Sequence, residues 1–137
     1  MLISYSELIE QIVALDSRVR FAGVANMLGK VIASCYRRGL IPLLNGEETE
    51  QTIPQSAVKS NSHQPLEEKL GRSLYTITTY ERVKRAMVPL YDLNGSVRSI
   101  LLVSFNPETP GSDVDSIILE RILPLVRGND DIQRICR

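Results

Sequence analysis

Tryptophan is absent from this chain, histidine occurs once, and two phenylalanines and five tyrosines are all the other large rings in 137 residues. Aliphatic side chains must therefore supply most of the core, and few rings remain on which unstacked bases could rest. Neither charge sign is in excess, with 16 basic and 16 acidic residues. That balance, beside a hydrophobic fraction of 43%, argues against a disordered chain and against a polyanion binder. It also weakens repulsion between copies, which favours self-association. No apolar run approaches the roughly 20 residues of a membrane span, so no membrane partner is expected. Met1 to Tyr5 carries no basic residue, and Glu7 and Glu10 interrupt the segment that follows, so no secretion signal is expected. The two cysteines, Cys35 and Cys136, have no spacing pattern and read as free thiols of a reducing cytoplasm rather than as a disulfide.

Reactive constellations are equally scarce. His63 lies in a polar stretch between Ser62 and Gln64 and reads as a surface histidine, not a metal ligand or general base. No activating residue is signed beside Cys35, and none is placed to orient His63 toward it. Gly29-Lys30 lacks the upstream glycine and the following Ser or Thr of a phosphate loop. Glu47, Glu48 and Glu50 suit a helix start better than a divalent-ion site. No catalytic, cofactor or metal residue is assigned, and no enzyme activity or cofactor is expected.

What is present is a clear alternation of helix and strand signals. Ser4-x-x-Glu7 is a capping box, and Leu8, Ile9, Ile12, Val13 and Leu15 follow on one helical stripe, ended by Asp16-Ser17. Arg18 to Ala25 and Lys30 to Tyr36 read as two strands joined by a turn at Asn26 to Gly29. Gly23 suggests a bulge or the close approach of a packed helix. Leu40 to Leu44 is an apolar connector, and Asn45-Gly46 reads as a turn. From Glu47 to Leu70 the composition favours helix, punctuated by Pro54 and Pro65; Ile53, Ala57 and Val58 are its expected buried face, and Gly71 its last C-cap.

Three further strands follow, Ser73 to Tyr80, Val83 to Tyr91 and Val97 to Phe105, with a strong hairpin signal at Asn94-Gly95. Pro89 requires a bulge or an unpaired edge, whereas the last strand is apolar enough to be central and covered on both faces. After the loop Asn106 to Gly111, Ser112 or Asp113 can cap a final helix. Val114, Ile117, Ile118, Ile122, Leu125 and Val126 would be its apolar stripe, with a kink at Pro124. Residues 1–126 thus form one α+β domain, and 127–137 a polar C-terminal tail. We expect a five-stranded antiparallel sheet with the second and first strands on one side, then the fifth, fourth and third. The terminal helices would share one face, and the middle segment would cover the other or link the sheet edges.

One surface stands out. Arg37 and Arg38, Lys69 and Arg72, then Arg82, Lys84 and Arg85 bracket the sheet, with Tyr36, Tyr75 and Tyr80 among them. Such a cluster is either a solvated edge kept from aggregating by charge or an interaction surface for an anion or an acidic partner. Overall neutrality and few rings argue against nucleic acid.

The order helix, two strands, helical middle, three strands, helix resembles the αββαβββα wiring of the roadblock/longin and profilin-like group. That resemblance implies a non-enzymatic, homodimeric signalling or protein-interaction module whose acidic partner would be a small GTPase or signalling protein. Two blocks, Leu15 to Leu44 and Glu68 to Leu90, also resemble a family of small uncharacterised archaeal proteins of ammonia-oxidising lineages. The shared features are the Gly39-Leu-Ile-Pro-Leu-Leu44 connector and the Lys69-Leu-Gly71 entry to the meander. They imply a cytoplasmic single-domain protein and transfer no site residue. The rival reading is a sensor domain of PAS or profilin-like type. In it Gly23, Ala25, Ala33 and Ala86 would leave room for a small anionic ligand or metabolite between the sheet and the middle helices.

Overall fold

A computed structural model describes residues 4–51 and 67–127. The expected buried face at Ile53, Ala57 and Val58, together with His63 and all of the expected tail after Arg127, Cys136 included, lies outside the described residues. Helix α1 (Tyr5–Leu15) begins where expected: the Glu7 amide donates to Ser4 Oγ at 3.2 Å. Leu8, Ile9, Ile12 and Val13 are buried and Leu15 half-buried. Tyr5 joins them and shares a 3.0 Å hydrogen bond with Ser99 across the core.

Strands β1 (Val19–Asn26) and β2 (Val31–Tyr36) form the first hairpin, and Gly29 takes the positive φ its turn demands. A helix covers 46–51, here α2, and a short turn of helix α3 (Glu67–Leu70) ends at Gly71, again at positive φ. Asn45-Gly46 is not a free turn. Asn45 Oδ1 accepts from the Glu48 amide at 2.8 Å, and Glu48 Oε1 accepts from the Asn45 amide at 3.0 Å. This is a reciprocal cap that opens α2 and makes Gly46 its first residue.

Strands β3 (Thr76–Thr79), β4 (Lys84–Tyr91) and β5 (Val97–Phe105) complete one antiparallel sheet in the order β2-β1-β5-β4-β3. That is the expected order, with β5 central. β3 pairs with β4 only as far as Met87, so Pro89 sits beyond its end, where no described strand pairs with β4 on that side. Gly23 is explained by its own strand rather than by a helix. A Cβ there would lie 2.7 Å from the ring of Phe21, which folds over it on the same face.

One sheet face is covered by α1, over β1 and β2, and by the C-terminal helix. Ala22, Val24, Ala86, Val88, Leu101, Val103 and Phe105 point into that core. The C-terminal helix has three parts, α4 (Gly111–Ile117), a π-helical turn (Ile118–Ile122) and α5 (Leu123–Arg127). Pro124 lacks the N–H that an α-helix would direct at Glu120, and its ring crowds that carbonyl. The wider π turn just before it absorbs the conflict. The register shift brings Leu123 into the buried stripe and leaves Leu125 and Val126 half-buried. Pro110 occupies the N-cap without a side-chain bond. Neither Ser112 nor Asp113 caps the helix, because Asp113 is drawn into an ion pair with Arg18 at 2.6 Å.

That ion pair belongs to a hub at the α1–β1 junction. Asp16 accepts from Arg18 at 2.9 Å through Nε and again from the Arg18 amide, and Arg121 lies 3.8 Å away. The Arg18 bonds hold the Asp16 carboxyl at about 2, against an ordinary 3.8. Because the folded value is the lower one, the hub's contribution is complete above the unfolded value and is lost as pH falls through about 2. Asp16→Asn should therefore lower the urea midpoint near neutral pH, with a deficit that closes as pH falls from 3.8 toward about 2. A deficit that stays constant across that window would contradict the account.

Candidate functional site

Strand alternation divides the expected basic surface between two faces. Lys84 shares a face with Ala86 and Val88, and its ammonium donates to the Thr109 carbonyl beside α4. Tyr75 is on that side too, donating to Asp115 at 2.7 Å, a bond that raises its phenol to about 12. Arg37 turns back over the end of α1. Its guanidinium donates to the carbonyls of Val13, Asp16 and Val19, so it is a structural clamp rather than a free cation. Lys69 and Arg72 lie toward the other end of the sheet, where the Arg72 guanidinium sits 4.9 Å from the Tyr91 ring centroid. From Arg85 to Tyr91 is six residues along β4, roughly 20 Å.

What converges is narrower. Tyr36, Tyr80, Arg82 and Arg85 line a crevice of about 390 Å³ on the second sheet face. Phe21 forms its floor, Arg20 and Ser104 contribute from β1 and β5, and Leu40, Pro42, Leu43, Leu44 and Thr49 close the other wall. The apolar connector and α2 thus cover part of the second face, and most of the middle segment expected either there or between the sheet edges lies outside the described residues. Phe21 and Tyr36 meet with ring centroids 4.6 Å apart, and the Tyr36 hydroxyl donates to the Leu44 carbonyl at 3.3 Å. The Arg20 guanidinium is held by Asn106 at 3.2 Å. Arg38 and Arg82 are exposed.

Arg85 is the exception among these cations. It is 5% exposed, and no hydrogen bond or ion pair reaches it from the described residues. Burial pushes its guanidinium pKa down, and the Tyr80 and Tyr36 hydroxyls only partly oppose this. A dibasic pair on a strand, Lys84-Arg85, must put one charge on each face, but its period does not say that the face of Arg85 is covered. Arg20 and the connector carried not even that signal.

The four small residues proposed to open a cavity do not act together. Ala33 and Ala86 pack toward the helix-covered face, whereas Ala25 lies on the other, where Phe21 fills the space over Gly23. Among the described residues, no group of three or more His, Cys, Asp or Glu side chains could hold a metal ion. Cys35 is a free thiol, and no described helix is long and apolar enough to cross a membrane.

Compared by sequence, the chain matches no family model and no curated protein. Compared by structure, it superposes on a gliding protein, MglB, from Thermus thermophilus, with a TM-score of 0.66 at 15% identity, over 94% of this chain and 87% of that one. An MglB in a tetrameric arrangement gives 0.67 at 16% identity, over 96% and 88%. A Roadblock/LC7 domain from Streptomyces avermitilis gives 0.64 at 9% identity, over 98% of this chain and the whole of the other. The fold is that of the roadblock domains. At these identities the likeness concerns the fold, and the residues of the crevice are this chain's own.

Proposed function

We propose that this roadblock-like domain is a non-enzymatic interaction module that pairs with a copy of itself and presents its basic, tyrosine-flanked end to an acidic protein such as a small GTPase or signalling protein. The observation that carries the pairing is β2. It is an edge strand, and alternate residues from Ile32 to Tyr36 are exposed. Ile32 is 46% exposed and Tyr36 37%, and exposed Leu43 follows in the connector. An edge with unpaired backbone groups beside apolar side chains is a template for another strand unless something blunts it. Only Val31 is blunted within the described residues, its amide donating to Glu50 at 2.9 Å. The tetrameric arrangement of one MglB supports assembly as a property available to this fold.

Arg38 and Arg82, exposed and engaged by nothing in the described residues, would receive the acidic partner. The same reading sets the protein in the cytoplasm, on its unpatterned thiols, and among the small archaeal proteins whose connector and meander entry it resembles. Ile32→Lys is expected to convert a dimer to a monomer at the same concentration while leaving the circular dichroism unchanged. Arg38→Glu with Arg82→Glu should leave the mass alone and abolish capture of an acidic partner. A dimer indifferent to Ile32→Lys would remove β2 as the interface.

A further inference from the structure

We propose that the crevice beside Phe21 is a binding site for a small organic monoanion, an apolar body ending in one carboxylate, with that carboxylate seated on Arg85.

Three features point to this ligand class. First, Arg85 lines the crevice, is 5% exposed, and meets no carboxylate, carbonyl or hydroxyl at hydrogen-bonding distance among the described residues. A guanidinium that is largely withdrawn from water is ordinarily paired, because its lost hydration must be made good. A carboxylate accepting two parallel N–H bonds is the geometric complement of its planar fork.

Second, the walls beyond the guanidinium are apolar: Phe21, Leu40, Pro42 and Leu43, with the rings of Tyr36 and Tyr80. A volume of about 390 Å³ lies at the small end of ligand pockets. It suits an aromatic or short aliphatic acid rather than a nucleotide. Third, of the three guanidiniums that line the crevice only Arg85 is both buried and without a hydrogen-bond partner among the described residues. Arg20 is held by Asn106, and Arg82 is exposed. A single buried and unengaged fork matches a ligand with one carboxylate.

The test uses the full chain with defined probes: benzoate and hexanoate, the neutral isosteres benzamide and hexanamide, and inorganic phosphate. Thermal stability is followed with rising probe, and binding is confirmed by titration calorimetry. Both carboxylates should raise the melting temperature in a saturable way, while the amides and phosphate do not. Arg85→Met should weaken carboxylate binding at least about tenfold, with the melting temperature of the probe-free protein unchanged or raised, because an unpaired buried charge has been removed. Arg85→Lys should retain part of the affinity. If Arg85→Met itself unfolds, chemical-shift changes at the Phe21, Tyr36 and Tyr80 rings of the unaltered protein decide whether the carboxylate sits in the crevice.

The proposal is overturned if the amides bind as well as the acids, or if Arg85→Met binds the acids as tightly. It is overturned equally if phosphate alone stabilises the protein, or if an acidic peptide binds where neither small acid does. The last result would make the crevice a socket for a partner's side chain.

Discussion

Arg37→Ala is expected to lower stability by about 2–3 kcal/mol, read as a lower urea midpoint at unchanged slope. The last turn of a helix leaves its carbonyls without intrahelical partners. At the end of α1 the Arg37 guanidinium satisfies Val13 and Asp16, and it then reaches Val19 at the start of β1. One side chain on the edge hairpin therefore ties the first helix to the sheet. Each hydrogen bond from a charged donor is worth on the order of 1.5–3 kcal/mol. The three are not additive, and Arg37 is half-buried, so water recovers part of the loss. Arg37→Lys should restore only a fraction, since a lysine cannot present a fork. A variant within about 0.5 kcal/mol of the parent would show that the clamp is not closed in solution.

Gly23→Val should be comparably damaging, about 2–3 kcal/mol, and should also disturb the crevice. Glycine in a strand interior ordinarily costs stability, which taken alone favours a larger residue by roughly 0.5–1 kcal/mol. Overpacking wins here. The new Cβ would stand 2.7 Å from Phe21 Cζ and 3.3 Å from the Ala33 carbonyl oxygen. Phe21 cannot simply swing aside, because Tyr36 packs against it with centroids 4.6 Å apart. Combining Gly23→Val with Phe21→Leu should therefore cost less than the two changes summed. Strict additivity in denaturant midpoints would place the strain elsewhere.

Much of the architecture could be read from local pattern, for identifiable reasons. β5 runs from Val97 to Phe105 as expected, because a nearly unbroken apolar run needs both faces covered and so belongs at the centre. The turns at Gly29 and Gly95 followed from positive φ. Pro124 announced a disturbance, although not that a π turn would carry the helix through it. The readings that failed concern distant partners or competing local signals. Asn45-Gly46 matched a turn dipeptide, yet Glu48 three residues on was the stronger, capping signal. Arg37 looked like a surface cation until the end of α1 was placed beside it, a contact spanning more than twenty residues of sequence. Asp113 was a plausible cap until Arg18 claimed it.

The candidate site was legible only in part. Tyr36, Tyr80, Arg82 and Arg85 were among the residues singled out and do meet in one crevice. Period-two alternation separates Lys84 and Tyr75 from them, and the length of β4 separates Lys69 and Arg72. The apolar connector Leu40 to Leu44 was visible as a run, but its role as a wall depends on how the chain leaves β2. No local rule specifies that direction.

Sedimentation equilibrium of the unaltered protein at tens of micromolar tests the central claim most directly, that this domain acts by associating. A mass near twice 15.3 kDa, falling toward the single-chain value on dilution, is the expected result. A single chain at every concentration would contradict it.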